Sequence, residues 1–258
     1  MEILRFSLSG KNAFFKKPEF NAYYYFTYGN IHKVALLGML GAILGYDGYN
    51  HMKGYGKEKK STKLIKGYPQ FYEKLKELKI SIIPVREKGY ISKKIQTFNN
   101  SVGYASKEQG GNLIVKEQWL ENPEWEICIL LDCEEAVKIK DFLCKKKCIY
   151  YPYLGKNDHP ADIKNVRLEK AKIIDFIQGR VDCFALKGKF EILDLDYDDR
   201  LDLGIFSKFK YEEKLPYQLD IWTNQYIFET FFYTDDFVTT QKDSIVYELE
   251  DGKKITFY

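Results

Sequence analysis

Residues 23–46 read YYYFTYGNIHKVALLGMLGAILGY, and their reading decides the fold. Aromatic residues lead into a polar turn at Gly29-Asn30, and an apolar run follows. Within that run Gly38, Gly41, Ala42 and Gly45 recur at spacings of three, four and seven, which places them on one face of a helix. Each helical glycine costs roughly 1 kcal/mol against alanine, so the stripe implies a close contact. Tight packing of a core helix on a sheet accounts for the glycine face. The start of the helix reads differently. Tyr28, Gly29, Asn30, His32 and Lys33 lie where free backbone N–H groups and the helix dipole attract anions.

The flanking chain supplies the rest of a domain. Residues 3–10 alternate apolar and polar side chains, a first strand. Residues 12–21 carry Phe14, Phe15, Lys16, Lys17 and Pro18. Such a mixture suits phosphate binding and base stacking, and equally a loop anchored by its aromatics. Residues 51–66, HMKGYGKEKKSTKLIK, read as a lysine-rich loop. A second helix is predicted over 68–79 and a strand over 80–85. Residues 90–124 are crowded with amides, among them Gln96, Asn99, Asn100 and Gln118, with turns at Gly103 and Gly110-Gly111. They read as a long insertion carrying a hairpin, with a short strand at 113–115. Strand 125–131, helix 133–145 and strand 148–151 follow.

The order β, α, β, insertion, β, α, β is that of a ferredoxin-like unit, an arrangement shared by many RNA-binding modules. The fold class is therefore α+β. A ferredoxin-like domain over residues 1–155, with its insertion at about 90–124, precedes a β-rich region over 156–258. The turn at 152–157 offers backbone N–H groups and Lys156 to a phosphate. It lacks a G-K-S/T ending and is not a nucleotide P-loop.

Charge is unevenly spread. Residues 1–100 hold 18 Lys/Arg against 7 Asp/Glu, a balance of +11; residues 101–258 hold 22 against 30, a balance of −8. A basic half rich in aromatics suits a polyanion. No signal peptide is visible, and the apolar run is shorter than the roughly 20 residues a bilayer needs. Five cysteines without an export signal fit reduced thiols in a cytoplasm. Cys144 and Cys148 make half a zinc site at most. Asp194, Asp196, Asp198 and Asp199 start like a calcium loop, but the turn glycine and the closing glutamate are missing, so an acidic strand edge is the reading. Neither metal nor cofactor is expected. Of the three histidines, His32 beside Tyr28 and Lys33 is the best placed for acid–base chemistry, and binding is the preferred role.

Four stretches carry a resemblance: ILRFSLSG, FFKKPEFN, YFTYGNIHKVALLGMLGAILGYD and YPYLGKNDHPADI. Together with QTFNNSVGYASKEQGGNLIVKEQW they resemble the fifth Cas family of type I CRISPR systems, closest to the type I-B branch. These are RAMP-superfamily proteins. The resemblance implies a Cascade subunit that caps the 5′ handle of the crRNA. Its partners would be the backbone and large subunits, with contact to target DNA near the PAM end and no membrane. The hairpin insertion would be the family's thumb. RNA contacts are expected from Lys16, Lys17, Tyr28, Asn30, His32 and Lys33 near the first helix. The thumb would add Gln96, Asn99, Asn100, Tyr104, Gln118 and Trp119, and the later turn Lys156. The type I-C branch cleaves precursor RNA with an adjacent Lys-His pair; here Lys116 is followed by Glu117, so no catalytic residue is expected. A metal-independent endoribonuclease using Tyr28, His32 and Lys33, and a purely structural interaction subunit, are the alternatives.

Overall fold

The computed structural model describes residues 1–19, 24–52, 67–194, 196, 200–201, 203, 209–241 and 244–258. The first half runs β1 (Glu2–Ser9), β2 (Asn12–Ala13), β3 (Tyr24–Tyr25), α1 (Lys33–Leu44), α2 (Gln70–Leu75), β4 (Ile80–Pro84), β5 (Lys93–Asn99), β6 (Ile114–Glu121), β7 (Glu124–Leu130) and α3 (Glu134–Cys144). Then come β8 (Asp162–Lys170), β9 (Lys172–Ile174), β10 (Gln178–Gly179), β11 (Ala185–Leu186) and β12 (Phe190–Ile192). The last strands are β13 (Lys210–Leu219), β14 (Tyr226–Thr234), β15 (Val238–Thr240), β16 (Val246–Glu248) and β17 (Lys254–Ile255). The chain is thus a mixed α and β protein in which strands dominate.

The principal sheet has the order β4-β7-β1-β8, and every neighbouring pair is antiparallel. On β1, Leu4, Phe6 and Leu8 join the core cluster that also holds Leu36, Leu37 and Leu40 of α1 and Ile139 of α3. Ile3 and Arg5 point to the other face and are buried as well. That face is covered by the second half of the chain, where Ile3, Cys128 and Leu130 pack with Phe190, Val238 and Phe257. Arg5 is 1% exposed and is paired with Glu126, Glu169 and Asp251 at 2.6, 3.0 and 2.9 Å. A buried guanidinium requires such partners, and here they tie β1 to β7, β8 and the β16–β17 turn.

The sheet corrects two expectations. Residues 148–151 are not a strand; Ile149, Tyr150 and Tyr151 are exposed in a loop. The strand that pairs with the far side of β1 is β8, beyond the expected boundary at 155. Its side chains are mostly charged and exposed, as at a sheet edge. The main core also crosses that boundary, since Phe184, Leu215, Leu219 and Phe231 belong to it. β13 and β14 form a long antiparallel hairpin beyond that boundary.

Helix α1 is apolar nearly all round because it meets several elements, α2, α3 and β13. Its C-terminus closes on Gly45 at φ 78°, with the Tyr46 N–H bonded to the Gly41 carbonyl, a Schellman arrangement. Gly41 is where α2 crosses: a Cβ there would stand 2.5 Å from Cβ of Phe71. The close contact is made by a helix rather than by the sheet. Among the described residues no helix is long and apolar enough to cross a membrane. Tyr23, residues 53–66 of the lysine-rich stretch, Asp198 and Asp199 lie outside the described residues.

Candidate nucleic-acid interface

The start of α1 is interior, which corrects its expected role as an open anion site. Tyr28, Asn30, His32 and Lys33 are 2%, 0%, 3% and 7% exposed. Asn30 Oδ1 accepts from Trp125 Nε1 at 2.9 Å, and Asn30 Nδ2 donates to the Gly89 carbonyl at 3.1 Å. His32 is the N-cap of α1: its Nδ1 accepts from the Ala35 N–H at 3.2 Å. Phe15, Tyr28 and Tyr226 surround its ring with centroids 5.2 to 6.0 Å away. Burial in that cage lowers its pKa to about 3. Burial also raises Tyr28 and lowers Lys33, the latter to about 8. The free N–H expected at Gly29 does hold an anion, but an internal one. It donates to both carboxylate oxygens of Glu213 on β13, at 3.0 and 2.9 Å. Tyr211 Oη and Lys17 Nζ complete that carboxylate's shell at 2.7 and 3.4 Å, so Lys17 is engaged too.

The accessible feature lies along α1 from this point. Ala35, Gly38 and Ala42 form a half-exposed stripe, and a Cβ on Gly38 would meet nothing closer than 3.8 Å. The stripe is the floor of a cleft of about 790 Å³. Aromatic rings of Phe14, Tyr46, Tyr49, Tyr150 and Tyr153 line it, and Lys16 and Lys156 belong to it. Lys16 is exposed, with its ammonium 4.1 Å from the Tyr25 ring centroid. A floor of glycine and alanine admits a flat ring or a sugar-phosphate chain, the tyrosines offer stacking faces, and Lys16 meets phosphate, whereas the expected phosphate contact of Lys156 is taken by Glu117. Sequence reading missed Tyr46, Tyr49, Tyr150 and Tyr153; the Tyr-Tyr-Pro-Tyr run just ahead of Gly155-Lys156 was the available signal.

The insertion is a hairpin of β5 and β6, in register from Lys93↔Leu120 to Asn99↔Ile114. Its base is tied to the body by β2 and β3, which flank β6. Alternation splits the expected residues between two faces. Gln96, Phe98, Glu117 and Trp119 share one face; Gln118 sits opposite Ile95 on the other. Asn99 organises the tip, accepting from the Ser101 N–H at 2.9 Å and donating to Asn112 at 3.3 Å. Asn100 is exposed, and Tyr104 projects from the tip at 81% exposure.

Trp119 and Lys156 come together, although far apart in sequence. Glu117 Oε2 accepts from Trp119 Nε1 at 2.7 Å and from Lys156 Nζ at 2.9 Å. The Lys156 ammonium also lies 5.1 to 5.9 Å from the ring centroids of Phe14, Phe98 and Trp119. His159 packs edge-on to Trp119 at 4.4 Å; both its nitrogens are buried without a hydrogen-bond partner, and burial lowers its pKa. This cluster clamps the hairpin base to the loop after α3.

No family model matches the sequence, and no curated protein matches it. The fold does have solved counterparts. It is similar to that of a CRISPR protein from Archaeoglobus fulgidus, with a TM-score of 0.51 and 12% identity, covering 100% of this chain and 98% of that one. A chain of a CRISPR RNA-guided surveillance complex gives a TM-score of 0.52 at 13% identity, covering 91% of this chain and 90% of that one. At such identities the likeness is one of fold alone, shared with these two CRISPR-associated structures.

Proposed function

We propose that this chain is a non-catalytic RNA-binding subunit of a CRISPR ribonucleoprotein. The finer reading is a RAMP-superfamily member of the fifth Cas family, closest to the type I-B branch. The β4-β7-β1-β8 order supports its ferredoxin-like part, since β-α-β-β-α-β units fold in that order. In this reading the protein caps the 5′ handle of the crRNA in the cytoplasm during antiviral defence. It packs beside the backbone and large subunits and near the PAM end of target DNA.

The observation that carries the reading is the α1 cleft, with its small-residue floor, tyrosine walls and Lys16. Two solved folds of the same architecture, one from an RNA-guided complex, are consistent with it. The absence of a role in cleavage is supported by His32, which is buried with its Nδ1 occupied and whose lowered pKa lies far from the neutral range that acid–base catalysis needs.

The test is affinity for single-stranded repeat RNA at physiological salt. Removing a stacked ring costs about 1–3 kcal/mol per base, so Tyr150→Ala and Tyr153→Ala each weaken binding. Lys16→Met weakens it and lowers the salt slope by about 0.7. Unchanged affinity in the triple variant would overturn the assignment. Incubation with precursor repeat RNA in EDTA should leave it intact; specific cleavage would favour an endoribonuclease.

A further inference from the structure

Lys33 and His32 are neighbours in sequence but border different clefts. The second cleft, of about 440 Å³, lies between the start of α1, the end of α2 and β13. Lys33 lines it together with Tyr68, Tyr72, Tyr217, Lys189 and Glu77. Charge in this cleft is unbalanced. As a residue Lys33 is only 7% exposed, with its side chain on the cleft wall, and among the described residues no ion pair involves it. Its one close partner is the ring of Tyr217, 5.1 Å away. Lys33 is also the first residue of α1, whose first turn holds no acidic residue. A cation there faces the positive end of the helix dipole, where an anion is favoured. Lys189 adds a second positive charge felt at Lys33, and Glu77 is the one carboxylate that acts against them. A cation held at a largely buried position without an ion-pair partner is costly, so the arrangement fits a site whose counter-charge arrives with a ligand.

The walls narrow the ligand's chemistry. Tyr72 Oη already accepts from the Leu219 N–H at 2.9 Å, which leaves its own hydrogen to donate. Tyr68 and Tyr72 meet edge to face at 4.9 Å and, with Tyr217, give an aromatic lining. The volume is within the range of small-ligand sites. We infer that this cleft binds a phosphate-bearing small molecule of the nucleoside monophosphate class, its phosphate against Lys33 and Lys189 and its base against the tyrosines. The site is separate from the α1 cleft and does not rest on the RNA reading.

Isothermal titration of the full chain with adenosine monophosphate, adenosine and inorganic phosphate tests it. The expected result is saturable binding of the monophosphate, with adenosine weaker by at least about tenfold. Lys33→Met, which keeps the apolar stem, weakens monophosphate binding by about tenfold or more while the thermal midpoint holds or rises. Should that variant not fold, Lys189→Gln and a pH series on the wild type decide. Affinity falls in the first and falls as pH rises through about 8 in the second, as Lys33 loses its proton among Glu77, Lys189, Lys76, Tyr72 and Tyr217. A 5′-phosphorylated RNA that displaces the monophosphate identifies an RNA end as the phosphate source; failure to displace identifies a free nucleotide. No saturable binding of monophosphate or phosphate, equal affinity for adenosine, or equal binding by a folded Lys33→Met variant would overturn the inference.

Discussion

Gly38 and Gly41 lie one turn apart on α1 and have opposite surroundings. An added methyl at Gly41 would meet Cβ of Phe71 at 2.5 Å, an atom fixed to the α2 backbone. The same methyl at Gly38 meets only a ring atom at 3.8 Å. Gly41→Ala is therefore expected to destabilise by about 1–3 kcal/mol through overpacking, and Gly38→Ala to stabilise by up to about 1 kcal/mol through helix propensity. Urea melts of the two variants check the pair; equal effects would refute the separation into packing and floor positions. The glycine spacing revealed the helix but could not divide these roles, because that depends on which neighbour crosses where. His32 gives a second residue-level prediction. Its ordinary pKa of 6.5 falls to about 3 on burial. Above pH 6.5 it is neutral folded or unfolded, and its contribution to stability is fully present. As pH falls below that value the unfolded chain takes up a proton and the folded chain does not, costing about 1.4 kcal/mol per pH unit until the folded pKa is reached. His32→Asn retains a good cap and should flatten the acid limb of the stability curve relative to wild type; an unchanged limb would contradict the buried neutral imidazole.

At the scale of elements, the hairpin was legible and its attachment was not. Gly103, Gly110-Gly111 and the amide run marked an insertion at 90–124, and β5 and β6 lie within it. The strand read at 113–115 extends to Glu121, because polar residues on both faces hid its alternation. The clamp of Glu117, Lys156, Trp119 and His159 joins residues some 40 positions apart, which no local pattern reveals. Glu117→Gln and Lys156→Met should be non-additive, with a coupling of about 0.5–3 kcal/mol in a double-mutant cycle. Faster hydrogen exchange in β6 is expected in each single variant, and a coupling near zero would show the clamp to be a surface pair of little consequence. The apolar run at 148–151 misled for a related reason. Hydrophobic residues at 149–151 usually mean a strand, but here they stand exposed beside the cleft.

For the whole molecule, the division into a basic first half and an acidic second half was legible in composition, but the halves are not separate bodies. Buried residues from both form one core, and the Arg5 network joins them across the back of the principal sheet. Short strands such as β10, β11 and β12, of two or three residues, carry too little pattern to be ordered from sequence. The second half also corrects the site: Glu213 on β13 fills the anion position ahead of α1, leaving the cleft farther along the helix as the accessible surface. The central claim is that RNA lies in this cleft. Ultraviolet crosslinking of bound repeat RNA, with the linked peptides identified by mass spectrometry, tests it most directly. Crosslinks at Tyr49, Tyr150 or Tyr153 are predicted; crosslinks confined to residues 178–219, or none from a saturated complex, would contradict it.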